Sequence, residues 1–332
     1  MPATFPLLRL PIDERLAVLR QMEMNHLFIL SLASKRAKNL VTSSNRKARG
    51  VLVSVYRKIQ FSCYVRDTGI ELLLSIWKTP KEPRKVKKPK HVTIYQSFRK
   101  TKPIKCTKEE YKPTDWLEHL CQIFHQKDYE LIFERHGSRY DFDSVYENFK
   151  NPGRLDLSGT GNTDYDNRAL NMIIPRHEIS LYFGIFENGR PPKHILIRNY
   201  DFFDCYGNSQ LLSWSRPLDD LLCANSRKIR TSVSGFTEKD INKFLKLWIC
   251  GSNPRLEKLL IFNAPVNYDN VLRGIQNWVV SEDQENVFES YSMLGMIDLK
   301  GSREIRRMDG TVAGVFIDNV EFIFNFFVLH DC

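Results

Sequence analysis

Histidine and cysteine side chains, which are common zinc ligands, lie close together at one place in this sequence. His119, Cys121 and His125 fall in a segment whose apolar residues are spaced as in a helix. On a helix, positions i, i+2 and i+6 do not share one side, whereas a zinc site needs side chains that converge on one point. We therefore interpret the three residues as structural and predict neither a metal nor any other cofactor.

Sequence patterns that bind phosphate or carry out hydrolysis are missing. Gly159-Thr-Gly161 is an isolated Gly-x-Gly, without the lysine of a P-loop or the third glycine of a dinucleotide site. No nucleophile-elbow, zinc-protease or catalytic-cysteine motif occurs. The acidic pairs Asp141/Asp143 and Asp219/Asp220 begin predicted helices, where negative charge complements the helix dipole. The sequence therefore predicts a protein without catalytic activity of its own.

The net charge of +10 comes from one basic segment. Residues 78–105 contain eleven lysines and arginines and a single acid, Glu82. Its prolines favour an extended, solvated backbone. Nucleic-acid binding is an alternative, since lysines neutralise phosphates and Tyr95, Phe98 and Tyr111 offer stacking faces; steering of an acidic protein partner is another. We favour the solvated segment, because the aromatic residues belong to predicted strands and helix starts.

Cysteine usage and hydropathy indicate an intracellular protein, in the cytoplasm, the nucleus or both. The seven cysteines are scattered without any C-x-x-C pair, which suits a reducing compartment. Residues 1–30 lack the pattern of a signal peptide. The longest apolar run, 320–329, is shorter than the about 20 residues that cross a bilayer. We expect no membrane partner.

The N-terminal segment shows the strongest local pattern. Leu10-Pro11 marks the start of a helix, because proline is tolerated in a first helical turn. One apolar stripe runs through Ile12, Leu16, Leu19 and Met22, and a second continues from Leu27 to Val41, which predicts two short helices. A piece of this size buries too little apolar surface to be robust alone. We expect it to complete its core on a partner.

These residues, together with Leu30-Ser-Leu-Ala-Ser-Lys-Arg36, resemble an F-box, most closely the form found in large nematode families. The resemblance implies docking on a Skp-type adaptor and, through it, on a cullin–RING ubiquitin ligase. The residues that it assigns to adaptor binding are Phe5, Leu7, Leu8, Leu10, Pro11, Val18, Leu19, Met22, Leu27, Leu30 and Leu32.

The remainder of the chain predicts an α/β fold in three parts. A β layer spans 50–100, and a degenerate leucine-rich-repeat-like α/β stack spans 113–275, with strands centred near 131, 156, 180, 196, 230 and 260. An antiparallel β cap covers 290–330 and contains the hairpin signal Asp309-Gly310. A helix at 237–250 has Thr237 as N-cap and Gly251 just beyond its end.

Segments 217–226, 242–256 and 305–311 resemble the F-box-associated domain of the same nematode families. We therefore expect an F-box at 1–45 and an F-box-associated domain at 46–332, which by resemblance recruits a target protein. Strand alternation places Asp156, Arg230, Leu260 and Phe262 on a face that we assign to target binding. The predicted function is substrate recognition for a ubiquitin ligase. An interaction module without a link to degradation is the alternative.

Overall fold

A computed structural model describes residues 7–65, 68–76, 83–97, 102–186, 190–207, 217–232, 235–264, 266–279, 288–289, 296–297, 302–318, 320 and 322–329. The chain divides into two compact units, residues 1–176 and 177–332. The fold is mixed α/β, which confirms the predicted class. The expected domain boundary after residue 45 stays a prediction.

Three helices, rather than the predicted two, form the N-terminal segment. They are α1 (Ile12–Gln21), α2 (Met24–Ala33) and α3 (Lys35–Ser43), and a 3₁₀ turn at Leu7–Arg9 precedes them. The second apolar stripe is interrupted at Ser34, whose φ of −163° is extended. The Ser34 hydroxyl accepts a hydrogen bond from the Ala37 N–H at 3.1 Å. A serine N-cap therefore starts a new helix in the middle of the predicted one.

The first unit contains one mixed sheet in the order β7-β6-β1-β2-β3-β4-β5. Strands β1 to β5 are antiparallel neighbours, whereas β1, β6 and β7 run parallel. The strands and helices after α3 are β1 (Gly50–Val55), β2 (Lys58–Val65), β3 (Thr68–Ile76), β4 (Val92–Ser97), β5 (Ile104–Cys106), α4 (Pro113–Ile123), β6 (Glu130–Phe133), α5 (Phe142–Asn148), β7 (Arg154–Leu157) and α6 (Thr163–Met172).

The second unit contains a mixed sheet in the order β8-β9-β10-β11-β17-β16-β15-β12. Its first four strands are parallel, and the others are antiparallel. The elements are β8 (Glu178–Tyr182), α7 (Lys193–Leu196), β9 (Phe202–Tyr206), α8 (Pro217–Cys223), β10 (Lys228–Thr231), α9 (Glu238–Ile249), β11 (Lys258–Ile261), α10 (Tyr268–Val271), β12 (Trp278–Val279), β13 (Phe288–Glu289), β14 (Met296–Ile297), β15 (Arg303–Arg306), β16 (Val312–Asp318) and β17 (Ile323–Leu329). Strands β13 and β14 pair with each other.

The strand predicted near residue 196 is wrong, because His194 to Leu196 belong to helix α7 and the strand lies at Phe202–Tyr206. A short apolar run fits a buried helix as well as a strand. Pro191 and Pro192 stand just before α7, where a missing N–H costs nothing. They bias the run towards a helix.

Local signals of the second unit are confirmed. The Thr237 hydroxyl accepts from the Asp240 N–H at 3.2 Å, and Thr237 N–H donates to the Asp240 carboxylate at 2.9 Å, which is a capping box at α9. Gly251 has a φ of +101° beyond the same helix. Gly310, with φ of +93°, turns the hairpin between β15 and β16. Each feature depends only on residues near in sequence.

Candidate functional site

The N-terminal helices share a core with α4, which follows the β layer in sequence. Phe28 of α2 is fully buried, and its ring centroid lies 6.1 Å from that of Trp116. The same ring meets the edge of His119 at 5.7 Å between centroids. Helix α2 thus completes its core within its own chain, whereas the sequence predicted completion on a partner.

His119 is held in one tautomer by this packing. The single hydroxyl proton of Ser31 is donated to the Phe28 carbonyl at 2.6 Å. The Ser31 oxygen, 2.7 Å from His119 Nε2, therefore accepts a hydrogen bond from the Nε2–H group. Nδ1 is the remaining acceptor, and it faces the Tyr111 hydroxyl at 3.5 Å. Burial, with smaller effects of Lys38 and Lys108, lowers the pKa of His119 from 6.5 to about 4.

Acidification is expected to destabilise the first unit through His119. Because its pKa is lowered on folding, the unfolded chain binds the proton more tightly, and stability falls as pH drops from 6.5 towards 4. The loss is on the order of 3 kcal/mol at pH 4. His119→Gln, which does not titrate, should flatten this part of the curve. Urea midpoints of both proteins measured across this pH range test the expectation, and parallel curves would contradict it.

A cavity of about 750 Å³ lies in the second unit beside the start of β11. Two of the segments that carry the family resemblance meet there, residues 254–256 from one and residues 307 and 309–311 from the other. The Met308 N–H donates to the Ile249 carbonyl at 3.0 Å, which joins the hairpin to the end of α9. The Arg307 guanidinium lies 5.3 Å from the centre of the Trp248 ring. Segments distant in sequence thus form one wall.

Three arginines and two carboxylates line this cavity. Arg227 donates to Glu257 at 2.8 Å, and Arg307 donates to Asp309 at 2.9 Å. Hydrogen bonds from Arg307 and Thr311 hold the pKa of Asp309 well below its usual range. Arg255 is half-buried and has no carboxylate partner among the described residues. Its guanidinium is the cavity group that remains available to an anionic ligand.

Known families match this chain at two places. Residues 7–49 match the F-box domain, and residues 191–261 match the F-box associated family. The chain contains an F-box and an F-box-associated domain. Both resemblances predicted from the sequence are thereby confirmed, each within one of the two units.

A relative supports the second match. The F-box associated domain-containing protein sdz-33 of Caenorhabditis elegans is 32% identical over 103 residues, which cover 30% of this chain and 31% of the relative. The matched stretch is therefore less than a third of that relative's length. No solved structure matches this chain.

The residues expected to bind the adaptor divide by exposure. Leu19, Leu27 and Leu32 are buried in the F-box core, with 0%, 0% and 6% of their surface exposed. Pro11 is exposed, whereas Leu7, Leu10, Val18, Met22 and Leu30 are half-buried. Phe5 and the side chain of Leu8 lie outside the described residues. The assignment of all these residues to adaptor binding stays a prediction.

Ile12 is the most exposed residue of the apolar stripe predicted along α1. Half of its surface is accessible, whereas Leu19 in the same stripe is fully buried. Ile12 is the first residue of the helix. Together with exposed Pro11 and half-buried Leu10 it forms a partly accessible apolar edge, which we call the entry edge (residues 10–12).

The four residues assigned to target binding lie in different units. Asp156 is in the first unit, whereas Arg230, Leu260 and Phe262 are in the second. The expected exposure of Leu260 is wrong, because only 5% of its surface is accessible and all four residues of β11 are buried. Arg230 is paired with Asp204, and Phe262 is half-buried. A role of these residues in target binding stays a prediction.

Alternation also predicts that the neighbouring positions of the same strands point inward, and this prediction is confirmed. Leu155, Leu157, Ile229, Thr231, Leu259 and Ile261 are each at most 2% exposed. Within the described part of the chain, no group of three histidine, cysteine or acidic side chains is placed to hold a metal ion. No described helix is long and apolar enough to cross a bilayer.

Proposed function

We propose that this protein is the substrate-recognition subunit of a Skp–cullin–F-box ubiquitin ligase. The observation that carries the proposal is the contrast within the F-box. Its inner residue Phe28 packs on α4, whereas the entry edge leaves Pro11 and Ile12 exposed beside half-buried Leu7 and Leu10. An apolar surface of this kind is stabilised when a partner covers it. A Skp-type adaptor is the partner that the F-box match implies.

The mechanism is positional and needs no catalytic residue in this chain. The F-box-associated domain holds a target while the F-box holds the adaptor and, through it, the cullin–RING ligase. Tethering raises the concentration of target lysines near the ubiquitin carrier. We place target capture at the cavity that contains Arg255, since a guanidinium without a carboxylate partner among the described residues, beside apolar Leu256 and Val328, suits a peptide that carries an acidic group. All partners in this scheme are intracellular.

Changing the entry edge is expected to abolish adaptor binding. Leu10→Ala, Pro11→Ala and Ile12→Ala together remove apolar area that the adaptor would bury, and we expect affinity to fall about a hundredfold or more. Folding should be little affected, because Pro11 and Ile12 are exposed and Leu10 is only half-buried in the free protein. Titration of a purified nematode Skp-type adaptor, with circular dichroism of each variant, measures both effects. Undiminished affinity would contradict the proposal.

A matched control and a reciprocal variant complete this experiment. Ile174→Ala with Ile197→Ala truncates exposed isoleucines elsewhere, 53% and 59% accessible, and should leave adaptor affinity unchanged. Arg255→Glu should retain the adaptor but lose proteins captured by the wild type. A captured protein that is neither ubiquitinated nor turned over would instead identify an interaction module without a link to degradation.

A further inference from the structure

The basic segment is docked on the first unit through its backbone. The Arg84 N–H donates to the Arg139 carbonyl at 2.9 Å, and the Asp141 N–H donates to the Arg84 carbonyl at 3.0 Å. The Val86 N–H donates to the Ser144 hydroxyl at 2.6 Å. Pro89 is buried. The expectation of a fully solvated connection is therefore wrong for this part of the backbone, and we call residues 84–90 the basic strap.

The lysines of the strap remain accessible on this anchored backbone. Lys85, Lys87, Lys88 and Lys90 are all exposed, and none forms an ion pair within the described residues. Anchoring at positions 84, 86 and 89 fixes the direction in which the intervening side chains leave the surface. Less backbone entropy is then lost when a ligand binds than for a free lysine-rich loop.

A cavity of about 500 Å³ lies under the strap and has an apolar side. Leu73 and Leu74 line it together with the strap lysines. Consecutive residues of a regular strand point to opposite faces, but the pairing with β2 shifts here, since Gln60 faces Leu73 and Ile59 faces Ser75. Leu74 is the extra residue of this bulge, which re-aims its side chain. Two adjacent leucines can therefore line one cavity.

The lining selects among anionic ligands. Five permanent cations and His91 line the cavity, and no acidic residue does so among the described residues. No described phenylalanine, tyrosine or tryptophan lines it either, so the large stacking faces that single-stranded nucleic acid uses are missing among the described residues. Of the aromatic residues first considered for stacking, Phe98 lies outside the described part of the chain. Cations next to leucines match a peptide in which acidic or phosphorylated residues flank an apolar one.

We propose that the cavity under the basic strap is a binding site for an acidic peptide that inserts an apolar side chain between negatively charged residues. The site lies in the first unit and is separate from the cavity around Arg255, so it goes beyond the proposed function. Phosphoserine and glutamate both supply negative charge, and either source satisfies the chemistry.

The test uses the full chain and a fluorescein-labelled short peptide in which glutamates flank a central leucine. Fluorescence anisotropy should show saturable binding that weakens at high salt. Exchange of the four exposed strap lysines for glutamine should weaken binding at least about tenfold, because each contacting charge pair in water contributes roughly a factor of five. Thermal stability should be nearly unchanged, since exposed charges contribute little to folding. The changes are Lys85→Gln, Lys87→Gln, Lys88→Gln and Lys90→Gln.

Controls separate this site from general attraction to anions. A matched variant removes four exposed lysines of the same unit, Lys35, Lys47, Lys127 and Lys150, and should bind the peptide as the wild type does. Replacing the central leucine of the peptide by serine should weaken binding several-fold. A phosphoserine version identifies the preferred anion. Equal binding of the serine peptide, or tighter binding of a single-stranded oligonucleotide of equal charge, would overturn the proposal.

Adaptor binding measured on the same variants keeps the two proposals apart. The strap variant should bind the adaptor normally, because the entry edge is untouched. If the wild-type protein does not bind the adaptor, the ligase function is refuted, whereas the proposed peptide site is unaffected.

Discussion

Phe28→Ala is expected to remove about 3–5 kcal/mol from the free energy of unfolding of the first unit. The Phe28 ring is fully buried and contacts Trp116 and His119 of α4, so truncation leaves a cavity between these two helices. Loss of this contact should also release α2, and adaptor affinity should fall with it. The structural consequence is larger than for any change at the entry edge.

Urea unfolding followed by tryptophan fluorescence measures this effect, because Trp116 lies beside the removed ring. Ile12→Ala serves as the control, since it truncates an apolar side chain of the same domain that is already half exposed. We expect the control to keep the wild-type midpoint within the usual range of surface substitutions. An unchanged midpoint for Phe28→Ala would show that the F-box does not depend on α4.

Arg230→Met is expected to destabilise the second unit by about 3–5 kcal/mol, because it leaves the Asp204 carboxylate buried without its cation. Only 3% of the Asp204 side chain is exposed, and the Arg230 guanidinium donates to it from Nε at 2.9 Å. The two residues face each other on β9 and β10, so no other strand position substitutes for the guanidinium. Denaturant unfolding of the purified variant and of the wild type measures the loss of unfolding free energy.

Two further variants show whether the unpaired charge of Asp204 causes this loss of stability. Arg227→Met breaks an ion pair whose members are 48% and 24% exposed, and it should change stability little. Asp204→Leu combined with Arg230→Met removes both charges and should recover most of the stability. If the double variant were as unstable as Arg230→Met, the guanidinium would matter through its packing over Phe202 rather than through charge.

What could be predicted from the sequence is what depends on neighbouring residues. The capping box of α9 and the Asp309-Gly310 turn each involve residues at most three apart, and both are present. The hydrogen bond between Ser31 and His119 joins residues 88 positions apart, and no local pattern signals it. The same holds for Val86 and Ser144, which anchor the strap.

The candidate sites show the same difference between features set by neighbouring residues and features set by contacts distant in sequence. Periodicity identified the apolar residues of the F-box but not which of them would be covered, since that depends on α4. Alternation along β11 predicted an open face, but burial of Leu260 requires material on both sides of the sheet, which strand periodicity does not reveal. Charge composition located the basic segment, whereas the bulge at Leu74 that gives it an apolar neighbour depends on strand pairing.

The core that α2 shares with α4 cannot form during synthesis until α4 has been made. Helix α3 ends at Ser43 and α4 ends at Ile123, so 80 further residues must be made before the core can close. Translation at about 5–20 residues per second makes this interval about 4–16 s. Throughout it the nascent F-box lacks Trp116 and His119 of α4, the residues on which the Phe28 ring later packs. Chaperones and adaptor therefore encounter a surface on the ribosome that the finished protein no longer presents.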